Sequence, residues 1–225
     1  MGGKMERFES IARTLEQGDH GAVREHVLAA LQAGVDAHDI LNRGLLAGMQ
    51  VVGTRFRAHE IFLPDVLLAA RAMYAGLDPL EGLLGEQGAQ GRGTIVLGTV
   101  AGDQHDIGKS LVKIMLEGAG VQVVDLGVDV PAAQFVDAAV EHGAEVIGLS
   151  ALLTTTMPVM GEVTAEVRRR GLSERLRVVV GGAPVNEEFA QEIGADAVGW
   201  DAAGAVDLVT ELVREVEDAR SSATP

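Results

Sequence analysis

Apolar positions recur with a helical period through the first part of the chain. Phe8, Ile11, Ala12 and Leu15 share one face of a predicted helix over 6–17, and Val23, Val27, Ala30 and Leu31 do the same over 20–33. Residues three and four apart stack on one side of a helix, so this spacing marks the buried face. Ile40, Leu41, Leu45, Leu46, Met49, Val52 and Phe56 extend the rhythm into a third helix, with Asp39 placed as its cap. A fourth runs over 65–77 with Pro64 at its start, where a missing N–H costs nothing. Four helices joined by short turns predict a small bundle.

The period stops over 81–93, a stretch rich in Gly and polar residues. It predicts a linker and a hinge between a helical domain over 1–88 and a second domain over 89–225. Beyond it the rhythm changes. Short apolar runs at 94–100, 121–126, 145–150, 177–180 and 197–200 alternate with helical patterns near 108–118, 132–142, 157–170, 186–193 and 203–218. Strands alternating with helices make βαβ units, hence a parallel sheet with right-handed crossovers. The predicted fold is α/β, a doubly wound five-stranded sheet of the flavodoxin-like order 2-1-3-4-5 behind a helical bundle. In that order ligands bind beyond the carboxyl ends of strands 1 and 3, where the winding reverses. The loop after strand 1 holds Asp103 and His105, and the loop after strand 3 runs over 150–156. Topology alone therefore brings these two loops to one crevice.

Composition narrows the function. Hydrophobic residues are 47% and aromatics only 3%, so Val, Leu, Ala and Ile must fill the core. Many of the 29 glycines sit at strand-to-helix junctions, where backbone lies close to a ligand. The formal charge is −15, and both halves are acidic: 8 basic against 12 acidic residues over 1–88, and 10 against 21 over 89–225. Such a surface repels phosphate backbones and anionic lipids, which sets nucleic acid and membrane aside as partners. The absence of cysteine excludes disulfides, zinc–thiolate sites, iron–sulfur clusters and cysteine nucleophiles. Without a long apolar run or an apolar signal core at the N-terminus, the expected location is cytoplasmic.

Three readings compete for the loop over 102–108. Gly102 to Gly108-Lys109-Ser110 approaches a phosphate-binding loop, but five residues separate the glycines where that pattern has four, and Asp103 and Asp106 would face the phosphates. A purely structural reading makes Asp106 the cap of the next helix. In the third, His105 is a metal ligand and Asp103, two residues away, fixes its tautomer. A single imidazole cannot hold a bare zinc ion, so the third reading requires a macrocycle, haem or corrin, to supply the other ligands.

Asp103-x-His105-x-x-Gly108 resembles the D-x-H-x-x-G signature of cobalamin-binding domains of the methionine synthase and corrinoid-protein type. The stretch Gly148-Leu149-Ser150-Ala151-Leu152-Leu153-Thr154 resembles the family's S-x-L segment, and Gly181-Gly182-Ala183-Pro184 its G-G motif. Residues 125–131 fit the family's second strand and following turn. Gly48-Met49-x-x-Val52-Gly53-x-x-Phe56 and Glu60-x-Phe62-x-Pro64 resemble the helical cap that precedes the cobalamin domain. The likeness covers roughly residues 5–218.

The resemblance implies a role for each matching position. His105 becomes the lower axial ligand to cobalt, with the nucleotide tail off the metal and buried between strands. Asp103 hydrogen-bonds His105, and Thr156 supplies the hydroxyl that completes a relay. Gly102, Gln104, Asp106, Ile107 and Gly108 make up the rest of the binding loop. Ser150, Leu152, Thr154, Gly181 and Gly182 line the tail pocket, with Ala202 near its end. Phe62, Leu63, Val66 and Met73 read as bundle core on pattern alone; the resemblance sets some of them over the upper face of the corrin. His59 is a departure, standing where the family pattern has glycine. His20, His26, His38 and His142 read as solvated helix residues, and Trp200 as packing at the end of strand 5.

A cap followed by a cobalamin domain is most similar to the corrinoid proteins of multi-component methyltransferase systems. This implies a non-catalytic carrier without catalytic residues of its own. It accepts a methyl group on cob(I)alamin from one partner methyltransferase and donates it from methylcob(III)alamin to a second, in methylamine, methanol or methyl-ether systems. A reductive activase is a further implied partner. The alternatives are a cobalamin-binding subunit of a mutase and a non-enzymatic nucleotide-binding module.

Overall fold

A computed structural model describes residues 2–80, 83, 93–199 and 202–222. The chain divides into two compact units, Met1–Gly91 with Gly118–Gly120, and Arg92–Glu117 with Val121–Pro225. The boundary expected at residue 88, nearly all of the expected 81–93 hinge, and Trp200 lie outside the described residues. Among the described residues no helix is long and apolar enough to cross a membrane.

The first unit is helical: α1 (Gly2–Glu16), α2 (His20–Gln32), α3 (Ala37–Ile40), α4 (Ala47–Arg57) and α5 (Leu63–Leu77). A π-helical turn, Leu41–Leu46, joins α3 to α4, so five segments build four rods. The faces read from the sequence are the buried ones: Phe8, Ile11 and Leu15 of α1, Val23 and Val27 of α2, then Ile40, Leu45, Met49 and Val52, and Val66, Ala69 and Met73 of α5. The third rod starts earlier than its pattern predicts. Its cap is Asp36, not Asp39: Asp36 is extended, and its carboxylate accepts from the N–H groups of His38 (2.9 Å) and Asp39 (3.2 Å). Asp39 is already inside the first turn. At the start of α5, Pro64 sits in the first turn and the Asp65 carboxylate accepts the Phe62 N–H at 2.8 Å. His59 is exposed with a left-handed backbone, φ 57°, which explains why glycine suits that position. His20, His38 and His142 are exposed as expected, whereas His26 keeps its Nδ1 buried without a hydrogen-bond partner.

The second unit is the doubly wound sheet. Its strands are β1 (Thr94–Thr99), β2 (Gln122–Asp125), β3 (Val146–Ser150), β4 (Arg177–Gly181) and β5 (Ala197–Gly199), all parallel in the order β2-β1-β3-β4-β5. Between and after them run α6 (Ile107–Gly118), α7 (Ala132–Glu141), α8 (Pro158–Arg169), α9 (Glu187–Ile193) and α10 (Ala202–Ser222). Both faces are buried, so the strands read as continuous apolar runs rather than alternating ones. Ile95, Val146 and Val179 pack with Leu116 of α6 and Val209, Leu212 and Val213 of α10. Val96, Ile147, Val178 and Val180 face the other way, toward Phe135 and Val136 of α7, Met160 and Val163 of α8 and Ala190 of α9. The winding reverses between β1 and β3. Thr99, Ser150, Gly181 and Gly199 pair in succession at the carboxyl ends of four strands, forming one level edge beneath the crevice.

Candidate functional site

The site is built on that edge. After β1 the chain turns at Gly102, which is left-handed with φ 82°, and drops the Asp103 side chain into the crevice. Asp103 is fully buried. Burial alone would raise its pKa, but its oxygens collect donors from both loops. Oδ1 accepts from His105 Nδ1 at 2.7 Å and from the His105 backbone N–H at 3.1 Å. Oδ2 accepts from the N–H groups of Leu152 (2.8 Å) and Leu153 (3.1 Å) and from the Thr156 hydroxyl (3.0 Å). Burial is the largest single influence, yet the donors from His105, Leu152 and Leu153 together outweigh it and hold the carboxyl well below the usual carboxylate range.

An ionised carboxylate can only accept, so His105 Nδ1 must carry the proton. The neutral ring then has its lone pair on Nε2. The imidazole side chain is 52% exposed. Its main chain is fixed from behind, where the buried Thr99 hydroxyl donates to the His105 carbonyl at 2.9 Å. The buried acid thus sets the tautomer and orients the ring. Thr156 can donate its single proton either to Asp103 or to the Leu153 carbonyl, 2.8 Å away.

Beside the ring lies a cavity of about 370 Å³ lined by Gln104, His105, Asp106, Ile107, Gly108, Ser150, Ala151, Leu152, Gly182 and Ala183. Gly182 is required by shape: a Cβ there would lie 1.9 Å from the Ala151 carbonyl oxygen, and φ is 125°. Gly102, Asp103, Thr154, Thr156, Gly181 and Ala202 are not among the walls. Asp103 and Thr156 lie buried beneath the ring, Thr154 is exposed in the β3–α8 turn, Gly181 backs onto the Gly199 carbonyl, and Ala202 is buried at the first position of α10. Asp106 immediately precedes α6, and its carbonyl accepts the Ser110 N–H at 2.7 Å. In the helical unit Phe62 is 67% exposed and Leu63 half-buried, but Val66 is enclosed in the bundle core as the bare helical pattern predicts.

Sequence reasoning passed over three contributors. Ala151 and Ala183 lie inside the quoted S-x-L and G-G segments and form cavity wall, and Thr99 lies within the 94–100 run without being singled out. A hydroxyl at a strand's carboxyl end next to a histidine loop is the signal that could have marked Thr99.

The phosphate-loop reading fails on Lys109 as well as on spacing. Lys109 is buried and its Nζ lies 2.6 Å from Asp125 Oδ1, with Lys113 Nζ 3.4 Å from the other oxygen. It joins α6 to the end of β2 and is not presented to a ligand. Burial pulls the Asp125 carboxyl up, but Lys109, the Gly127 N–H and Lys113 bring it below its ordinary value. Lys109→Met is expected to destabilise the sheet unit by about 2–3 kcal/mol, short of the cost for a fully buried pair because Asp125 keeps Lys113 and some solvent. Urea unfolding measures it.

Among the described residues no group of three or more His, Cys, Asp and Glu is placed to hold a metal ion. One histidine with one buried acid fits a metal that brings its own equatorial ligands.

Comparison with known proteins gives the same direction. Two B12 binding domain families match, one over residues 93–209 and one over residues 7–81. A dimethylamine corrinoid protein of Methanosarcina acetivorans is 45% identical over 194 residues, 84% of this chain and 91% of that relative. The methanol:cobalamin methyltransferase complex MtaBC of Methanosarcina barkeri matches with a TM-score of 0.87 at 31% identity, over 98% of this chain and 85% of the matched one. A cobalamin-binding protein of Desulfitobacterium hafniense matches with a TM-score of 0.73 at 35% identity, over 91% of this chain and 98% of that one.

Proposed function

The chain belongs to the family of corrinoid proteins with B12 binding domains, and from that premise we propose that it carries a methyl group on cobalamin between two partner methyltransferases. Bound cobalamin supplies a cobalt ion that takes up and gives up the methyl group. Everything else is the work of the chain's own residues. In this reading His105 Nε2 would hold the cobalt. The observation that carries it is a half-exposed imidazole tied at 2.7 Å to a fully buried carboxylate. That bond fixes the tautomer and aims the ring. The Thr156 hydroxyl, with two acceptors in reach, lets the negative charge on Asp103 be shared or withdrawn without moving a heavy atom.

The surroundings suit the cofactor. A cavity of about 370 Å³ falls in the range of small-molecule sites and takes a nucleotide-sized tail rather than a whole macrocycle. Ile107, the first residue of α6 beside the His105 loop, and Leu152 and Leu153, in the β3–α8 turn, are exposed apolar side chains and offer an apolar rim to a corrin. Gly182 lets the β4 loop close against the Ala151 carbonyl of the β3 loop, and both residues are walls of the cavity. Ser150, Leu152, Gly182 and the 104–108 loop hold the tail in this reading.

One relative is a dimethylamine corrinoid protein, and one similar structure is a methanol:cobalamin methyltransferase complex. Methylamine-type and methanol-type methyltransferases are therefore the first partners to test, and a reductive activase and a cytoplasmic location belong to the same reading. The experiment is single-turnover transfer. Cobalamin-loaded protein, first reduced to the cob(I)alamin state with a low-potential chemical reductant such as Ti(III) citrate, is mixed with a candidate methyltransferase and isotope-labelled dimethylamine or methanol. The reading expects label on the carrier only when the matching methyltransferase is present. Failure to acquire label from any methyltransferase encoded alongside the chain contradicts it.

A further inference from the structure

The turn between β2 and α7 supports the His105 loop from behind, and we propose that Asp129 is a positioning residue that sets how firmly His105 is presented to its cofactor. The inference rests on the corrinoid reading above and adds to it a residue outside the Asp103–His105–Thr156 relay. Asp129 has a left-handed backbone, φ 58°. Among residues with a Cβ, aspartate is one of the few that tolerate this conformation, because its short polar side chain can bond to nearby backbone. Here the bonding is reciprocal. Asp129 Oδ1 accepts the Gly102 N–H at 2.7 Å, and the Asp129 N–H donates to the Asp103 carbonyl at 3.1 Å. A charged acceptor makes the first of these a short, strong bond.

The two bonds grip the main chain immediately before and at the buried Asp103. The carboxylate of Asp103 is held by Leu152 and Leu153; its backbone is held by Asp129. The turn is itself rigid enough to serve as a support. Gly127 donates to Asp125 Oδ1 at 3.0 Å, and Thr99 exchanges main-chain bonds with Gly127 and Val130, each 3.0 Å. A metal ligand on a loop must be held to within about 0.5 Å of its working position by what lies behind it. The His105 ring is half exposed, so side-chain packing holds it only in part, and the main-chain brace supplies the rest.

Three substitutions separate bracing from mere backbone tolerance. Asp129→Gly keeps an unstrained left-handed turn and removes the acceptor. Asp129→Asn keeps both the conformational tolerance and an acceptor oxygen. Asp129→Ala loses the acceptor and strains the turn, so Asp129→Gly is the informative variant if Asp129→Ala fails to fold. Each purified protein is titrated with cobalamin while the visible spectrum is recorded, and amide hydrogen exchange is followed on the apo-protein. Asp129→Gly is expected to unfold at the wild-type denaturant midpoint or close to it and to lose exchange protection at the Gly102 amide. It is expected to bind cobalamin about ten- to a hundredfold more weakly, the usual effect of removing a support behind a metal ligand. Its histidine-ligated spectral fraction should fall in step, and Asp129→Asn should restore most of both. Wild-type affinity and a wild-type histidine-ligated spectrum in Asp129→Gly overturn the proposal. A wild-type protein that takes up no cobalamin overturns the carrier reading and this inference with it, a failure visible before any variant is made.

Discussion

Asp103→Ala is expected to cost the sheet unit about 3–5 kcal/mol and to remove histidine ligation of the cofactor altogether. The buried carboxylate accepts from the N–H groups of His105, Leu152 and Leu153, from the His105 ring and from the Thr156 hydroxyl. A buried donor left without a partner costs about 1–3 kcal/mol, and water entering the vacated space recovers part of the total. Denaturant unfolding measures the loss.

Asp103→Asn separates stability from chemistry. An amide can offer its oxygen to Leu152, Leu153 and Thr156, which preserves the tie between the two loops. Its NH2 group must then face His105, whose backbone N–H loses its acceptor there, the main cost of the change. Nδ1 becomes the acceptor, the proton moves to Nε2, and the ring can no longer bind a metal through that atom. The variant should fold with a smaller loss, about 1–3 kcal/mol, and still show no histidine ligation. The acid limb of the stability curve gives an independent check. The folded-state pKa of Asp103 is depressed, so its contribution is present in full above the unfolded value near 4 and is lost as pH falls through the lower folded value. The stability of wild type should therefore fall more steeply in that acid range than that of Asp103→Asn.

Gly182→Val is the second large effect. Its Cβ would lie 1.9 Å from the Ala151 carbonyl oxygen and 2.9 Å from the carbonyl carbon, both backbone atoms, at a φ of 125° that side chains rarely adopt. Strain of this kind costs about 1–3 kcal/mol and overpacking a similar amount, so a loss of about 3–5 kcal/mol is expected. The displaced strand would move Ala151, Leu152 and Gly182 together, and these are walls of the cavity. Cobalamin affinity should fall even in whatever fraction stays folded, which equilibrium dialysis can read at a temperature where the variant is native. A substituted protein with wild-type unfolding and wild-type affinity would show that the β3 and β4 loops do not meet as described.

Much of this architecture was legible in the sequence because its signals are local. Buried parallel strands need unbroken apolar runs, and those at 94–100, 145–150 and 177–180 fell within a residue or two of β1, β3 and β4. Crossover handedness left few possible orders, and the doubly wound order chosen among them brought the His105 and Ser150 loops together. The Asp103–His105 pair was readable because two residues of separation in a loop is the reach of a short carboxylate. Features that depend on long-range register were not readable. The capture of the Leu152 and Leu153 N–H groups by Asp103 spans about fifty residues and exists only because β1 and β3 end at the same level. The grip of Asp129 on Gly102 needs β1 beside β2, and no local pattern announces it. In the helical unit, the π-helical turn at Leu41–Leu46 let one apolar stripe pass for one regular helix. The cap at Asp36 was hidden by Asp39, an equally plausible residue three positions on whose backbone is already helical. Val66 shows the limit from the other side: the bare apolar pattern assigned it to the core, and there it lies, fully buried.

The most direct test is electron paramagnetic resonance of the protein loaded with Co(II) cobalamin, prepared with ordinary and with 15N-labelled histidine. Ligation by His105 predicts nitrogen superhyperfine splitting whose pattern changes on labelling the histidines, and its disappearance in His105→Ala. Splitting that ignores the label, or that survives in His105→Ala, would mean that the lower nitrogen comes from the cofactor's own tail or from another residue, and would contradict the assignment of His105 as the axial ligand.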